Sequence, residues 1–171
     1  MVIEELVNEA KNGDENAFCE LMQINKEILY KTAYAYTKNQ HDALEILDST
    51  VYKAYISIKK LKDTKYFNTW IMRILINNCI NFLNKKKRII LFKKNDDIIK
   101  ETQFIENKEE ILDLYEAIDN LDSKLKIIII LRYFQDLTVP QIAEIMDYPL
   151  GTVKTYIHKA LKQLRIKLEV E

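Results

Sequence analysis

Glycine and proline are each present only twice in the 171-residue sequence. Tight hairpin turns lean on those two residues, so a fold of many short strands is excluded and long helices are the expected framework. Cysteine and histidine are as scarce, and Cys19, Cys79, His41 and His158 lack the spacing of a metal site. No metal and no cofactor are expected. Both thiols are read as free and buried, in a reducing compartment. The longest apolar run, 127–131, is far too short to cross a bilayer. The N-terminal stretch is amphipathic and acidic, unlike the basic and then apolar start of a signal peptide. A soluble, cytoplasmic chain with no membrane insertion is therefore expected. No phosphate loop and no nucleophile with a partner base occur, so no catalytic residue is assigned and the chain is read as a non-enzyme.

What is present is charge, unevenly placed. Lys+Arg and Asp+Glu both number 26, giving a formal net charge of zero. Yet residues 59–100 hold twelve basic side chains against three acids, and residues 148–168 hold five basic side chains and no acid. Between them, residues 101–124 hold eight acids against two lysines. Two basic blocks separated by an acidic one suggest two polyanion-binding surfaces, or else solvated faces.

Apolar residues recur at helical spacing through most of the chain. A first helix carries Ile3, Leu6, Val7 and Ala10 and stops near Gly13; a second spans about 15–37, with Phe18, Leu21, Met22, Ile28, Leu29, Thr32, Ala33 and Tyr36 near one face. Asp42, with Glu45 three residues on, reads as the capping box of a third helix reaching about residue 61. A fourth is expected from about 69 to 87. Periodicity then fades until about 108, and four more helices follow at 109–120, 123–135, 138–146 and 150–168. The expected fold is all-α: two small helical domains, 1–88 and 109–171, joined by a flexible linker at 89–108, the second containing a helix-turn-helix.

That motif is read from local chemistry. Thr138 can cap a helix with Pro140 in its first turn, and Asp147-Tyr148-Pro149 breaks it before a second helix starts at Leu150. Ile142, Ala143, Ile145, Val153, Ile157 and Leu161 have the spacing of a shared core. Thr152, Lys154, Thr155, Tyr156, His158, Lys159 and Lys162 remain on the outer face, where they can reach base edges and phosphates.

The run 141–165, through Gly151-Thr152-Val153-Lys154, closely resembles the promoter −35-reading helix-turn-helix of extracytoplasmic-function sigma factors. Three further blocks resemble the same family: Ala17 to Met22, like its opening helix; 42–55, like its polymerase-binding helix; and 67–78, with Asn81-Phe82-Leu83 and Lys85 to Arg88, like its −10-binding segment. In the polymerase-binding helix the chain departs from the pattern. Glu45 stands for a usual Asp, Asp48 for a Gln and Ser49 for a Glu, which rearranges the polar face.

The resemblance implies an alternative sigma factor that binds core RNA polymerase and directs promoter-specific initiation, in an envelope-stress or extracellular-signal response. Its partners would be core polymerase, promoter DNA and a membrane-anchored anti-sigma factor. It implies core contacts from Asp42, Glu45, Asp48 and Tyr52. It implies −10 contacts from Lys65, Tyr66, Asn68, Asn77, Asn81, Lys85, Lys86 and Arg88, and −35 contacts from Thr152, Lys154, Thr155, Tyr156, His158 and Lys159. Trp70, on the apolar stripe with Ile74, is read as core, and Tyr30, Tyr34 and Tyr36 as helix packing. Arg73 either pairs with a carboxylate or touches phosphate. Residues alone leave two other readings open: a self-standing helix-turn-helix regulator, and a helical adaptor whose basic blocks bind an acidic protein.

Overall fold

The computed structural model describes residues 3–92 and 109–169, with side chains for 3–86 and 114–168. Among them every regular element is helical. The first lobe holds α1 (Ile3–Asn12), α2 (Glu15–Thr37), α3 (Gln40–Ser57) and α4 (Phe67–Phe92), with single 3₁₀ turns at Ile58–Lys60 and Thr64–Tyr66. The second holds α5 (Glu109–Asp119), α6 (Ser123–Ile129), α7 (Val139–Met146) and α8 (Leu150–Glu169). The linker expected at 89–108 starts late: α4 continues through residues 89–92, and residues 93–108 lie outside the described residues.

Local chemistry fixes the breaks. Gly13 ends α1 at φ 103°, a conformation that costs glycine little. Asp14 then caps α2, its carboxylate accepting from the N–H groups of Asn16 and Ala17 at 2.8 and 3.0 Å. The cap of α3 is Asn39, not Asp42: the Asn39 side-chain oxygen accepts the Asp42 N–H at 2.9 Å, which places Asp42 inside the first turn. Asp63 accepts from the Lys65 N–H at 3.0 Å, and the turn it starts delivers the chain into α4 two residues earlier than the sequence suggests.

Small residues let the first lobe's helices approach: Ala10, Ala33, Ala43 and Ala54 are all buried, around Leu21, Leu29, Phe67, Ile71 and Leu75. Trp70 is partly buried and packs on this core. Ile28, expected inside, is exposed, and so is Cys19, which sits on the outer side of α2 beside buried Phe18. Cys79 is buried as expected.

The lobes do not stand apart. In α6 and the wider turn after it, Leu125 and every residue from Ile127 to Leu131 are buried. A helix that is apolar all round must be covered all round. Leu125 and Ile129 pack in a cluster with Ala117, Ile118, Ala160 and Leu164, while Ile127, Ile128, Ile130 and Leu131 join the cluster built by α2, α3 and α4. Polar contacts stitch the same seam. The Tyr36 hydroxyl donates to the Ser123 carbonyl at 3.1 Å, Ser123 Oγ donates to Asn84 Oδ1 at 3.1 Å, and Arg73 donates to the Glu144 carbonyl at 2.6 Å. Lys126, 5% exposed, pairs with Asp119 at 2.9 Å and holds its ammonium 5.1 Å from the Tyr36 ring centre.

Candidate nucleic-acid interface

The C-terminal surface is built by α7 and α8. Thr138 and Gln141 cap α7 reciprocally: Thr138 N–H donates to Gln141 Oε1 at 2.9 Å, and Gln141 N–H reaches Thr138 Oγ1 at the longer 3.5 Å. Asp147 closes the helix in the left-handed region at φ 56°, and the Tyr148 N–H returns to the Ala143 carbonyl at 3.0 Å. The Lys124 ammonium lies 5.9 Å from the centre of the Tyr148 ring, bringing α6 beside this turn, and the tyrosine hydroxyl raises the lysine's pKa. Ile142, Ile145 and Val153 are buried at the crossing.

On α8 the inward residues continue as Ala160 and Leu164. Leu161, expected in the core, is exposed: at about 100° per residue it lies roughly 80° round the helix from Val153, whereas Ala160 and Leu164 lie within roughly 20° of it. Of the residues expected at −35 DNA, Lys154, Thr155, His158 and Lys159 are exposed and Thr152 is half-buried. The Thr155 hydroxyl is occupied in part, donating to the Gly151 carbonyl at 2.9 Å. Tyr156 is half-buried and meets Tyr148 edge-on at 5.9 Å between centres, so it packs the motif as well as bordering the outer face. The exposed face of α8 from residue 150 to 168 carries only basic charge.

In the first lobe, Lys65, Tyr66 and Asn68 are exposed beside the Thr64–Tyr66 turn, and Asn77, Asn81 and Lys85 are exposed along α4. The Arg88 side chain lies outside the described residues. Phe67, next to these, is buried and packs near Trp70, so it offers no stacking surface. Arg73 pairs with a carboxylate, but one of the other lobe: it lies 3.9 Å from Asp147 and also donates to the Glu144 carbonyl there.

Between α3 and α4 runs a groove of about 290 Å³, lined by Lys53, Ile56, Ser57, Ile74, Asn77 and Asn78. It combines an apolar wall, two amides, a hydroxyl and a cation. Of these only Asn77 is among the residues that sequence reasoning selects; Lys53, Ser57 and Asn78 are missed. A larger groove of about 450 Å³ at the α1–α2 turn includes Asp14 and Glu15, whose carboxylates disfavour a phosphate backbone.

Of the residues expected at the polymerase, Glu45, Asp48 and Tyr52 lie exposed on α3, with Leu44, Tyr55 and Ile56 as apolar neighbours. Asp42 differs. It is partly buried and paired with Lys86 at 2.7 Å, so a residue expected at the polymerase holds one expected at DNA.

Two helical lobes, one ending in a helix-turn-helix whose exposed face carries only basic charge, have the architecture of a DNA-binding protein. The Sigma-70 region 2 model matches residues 21–89, and the Sigma-70 region 4 model matches residues 111–164. The RNA polymerase sigma factor SigV of Bacillus subtilis is 37% identical over 156 residues, covering 86% of this chain and 88% of that protein. The ECF RNA polymerase sigma factor SigW of the same organism is 29% identical over 182 residues, covering 98% and 97%. Among solved structures, CnrH in complex with the cytosolic domain of CnrY aligns with TM-score 0.71 at 17% identity, over 99% of this chain and 98% of that one. The sigma factor RpoE in complex with the anti-sigma factor NepR from Bartonella quintana aligns with TM-score 0.69 at 20% identity, over 90% and 98%. The chain belongs to the sigma-70 family, in its extracytoplasmic-function group. No described helix is long and apolar enough to cross a membrane.

Proposed function

We propose that the chain is a dissociable specificity subunit of RNA polymerase: an alternative sigma factor that binds the core enzyme and directs initiation at promoters with its own −10 and −35 elements. It works in the cytoplasm, in an envelope-stress or extracellular-signal response, held in check by a membrane-anchored anti-sigma factor. It carries no reaction of its own; the polymerase does the chemistry. Residues 1–88 dock on polymerase through the exposed face of α3, with Glu45, Asp48 and Tyr52, and engage the −10 element. Residues 109–171 read the −35 element through Lys154, Thr155, His158 and Lys159.

The observation that carries this reading is the pairing of two different nucleic-acid surfaces in one chain. The α8 face suits a duplex groove, with lysines on phosphates and helix N-terminal side chains on base edges. The α3–α4 groove suits a single unpaired base: it is too small for a duplex, and Asn77 offers both donor and acceptor beside the apolar Ile56 and Ile74. Asn81, Lys85 and the neighbouring Lys65 supply polar and cationic contacts along the strand. A self-standing regulator has no use for a surface that holds an unpaired base.

The test is in vitro transcription with purified chain and core polymerase, with starts mapped on genomic templates. Discrete starts sharing two upstream elements are expected. A chain that binds duplex tightly alone, yet directs no initiation when added to core enzyme, would instead be a free-standing regulator.

A further inference from the structure

Beside Asn77, which faces the groove, Asn78 points into the protein and is 6% exposed. A buried amide must have its hydrogen bonds met, and here they run in one direction. The Thr50 hydroxyl donates to the Ile46 carbonyl at 2.7 Å, leaving its oxygen free only to accept. Asn78 Nδ2 donates to that oxygen at 2.9 Å. The amide is thereby turned so that Oδ1 faces the rim, where it accepts from the Lys53 ammonium. The other end of the chain of bonds is backbone, so the orientation is anchored.

We propose that Asn78, backed by Thr50, is a positioning residue that fixes the Lys53 ammonium at the wall of the groove and so sharpens which base the groove accepts. The inference rests on the reading of that groove as the seat of an unpaired base. An unrestrained lysine swings to any nearby acceptor and tells bases apart poorly. An ammonium held at one point does discriminate, because acceptors sit at different positions on the four base edges. Asn78 uses one of the three ammonium hydrogens and leaves two for nucleic acid.

The experiment uses the full chain with core polymerase, on a promoter identified by start mapping. Each non-template position of its −10 element is changed to all four bases, and open-complex formation is measured. Asn78→Leu should flatten the preference at one position by roughly two- to tenfold, the range for freeing one long side chain, and leave other positions alone. Lys53→Met should flatten the same position, and Asn78→Leu added to it should have no further effect. Thr50→Val removes the anchor while keeping the buried shape, so it repeats the test if Asn78→Leu fails to fold; Thr50→Ser should restore wild-type preference. An Asn78→Leu effect that is equal at all positions, or that persists with Lys53→Met, overturns the proposal. If Asn77→Ala shifts a base preference while Lys53→Met and Asn78→Leu do not, the groove reading stands and the positioning role fails. If none of the three shifts any preference, the groove reading itself fails.

Discussion

Replacing Tyr36 by Phe should loosen the packing of the two lobes without disturbing either. Tyr36 is fully buried, and its hydroxyl makes the contact to the Ser123 carbonyl that joins α2 to the start of α6. Phe keeps the ring, its packing and the nearby Lys126 ammonium, and Ser123 keeps its place in α6. The change therefore removes one neutral buried hydrogen bond, worth about 1 kcal/mol net, or about a fivefold gain in the open fraction. Cys79 supplies the readout. It lies within electrostatic reach of Tyr36 and Lys126, and burial pushes its thiol up to about 12, so the packed form hardly reacts. In a Cys19→Ser background, the rate of Cys79 alkylation counts opening events. Tyr36→Phe should speed it about fivefold, and Asn84→Ala, which removes the acceptor for Ser123 Oγ at the same seam, should act in the same direction. An unchanged rate in both variants, with melting temperatures also unchanged, refutes the seam as the feature that closes the lobes. The motion matters because elements named −10 and −35 are about 25 base pairs apart, or roughly 85 Å of duplex. A compact chain of 171 residues has a radius of gyration of about 16 Å and so a diameter of roughly 40 Å, and the packed form cannot reach both at once.

Lys154→Ala or Lys159→Ala should lower transcription severalfold while leaving polymerase binding intact, as gel filtration with core enzyme would report; loss of binding by a folded variant contradicts their assignment to DNA. Thr138→Ala should cost about 0.5–1 kcal/mol, the low end for a cap because the Gln141 N–H is 3.5 Å from the threonine oxygen; chemical denaturation reads it, and no shift would mean that Gln141 alone caps α7. Stability should fall on alkaline titration. Burial raises Cys79 from an ordinary 9.0 to about 12 and raises Tyr36 as well, so the folded state holds protons that the unfolded state releases. Their contribution is full below pH 9 and is lost as pH rises towards 12. Cys79→Ala should flatten that slope in urea melts between pH 8 and 10.5, and an unchanged slope argues against a protonated buried thiol.

The helix-turn-helix was legible because its signals are local. Thr138, Pro140 and the Asp147-Tyr148-Pro149 break each act within a few residues of where they stand. Which side of a helix faces inward is less local. Successive residues differ by about 100° around the axis, so a small error in phase puts Leu161 and Cys19 on the exposed side where the pattern places them inside. Nothing in the pattern around two adjacent asparagines says which will be buried. The α3 cap illustrates a competition: Asn39 and Asp42 both suit the task, and Asn39 captures the available N–H. The lobe seam joins residues 87 positions apart at Tyr36–Ser123 and 71 apart at Arg73–Glu144, with no periodic trace. One hint does exist. The run 127–131 has no polar face, and a short helix of that kind needs cover on both sides.

The Lys86–Asp42 pair has a consequence of its own. The resemblance assigns one member to the polymerase surface and the other to the DNA strand, so the two expected surfaces meet at a shared ion pair. Lys86 is half-exposed and Asp42 much less so, which makes the lysine the member that leaves most readily. If docking on the core enzyme draws Asp42 away, it releases a cation towards the strand; if a phosphate takes Lys86, it uncovers a carboxylate for the enzyme. Thermodynamic linkage requires the two effects on affinity to be equal. A single exposed ion pair contributes little to stability. It can still bias the order of events, with each macromolecule making room for the other.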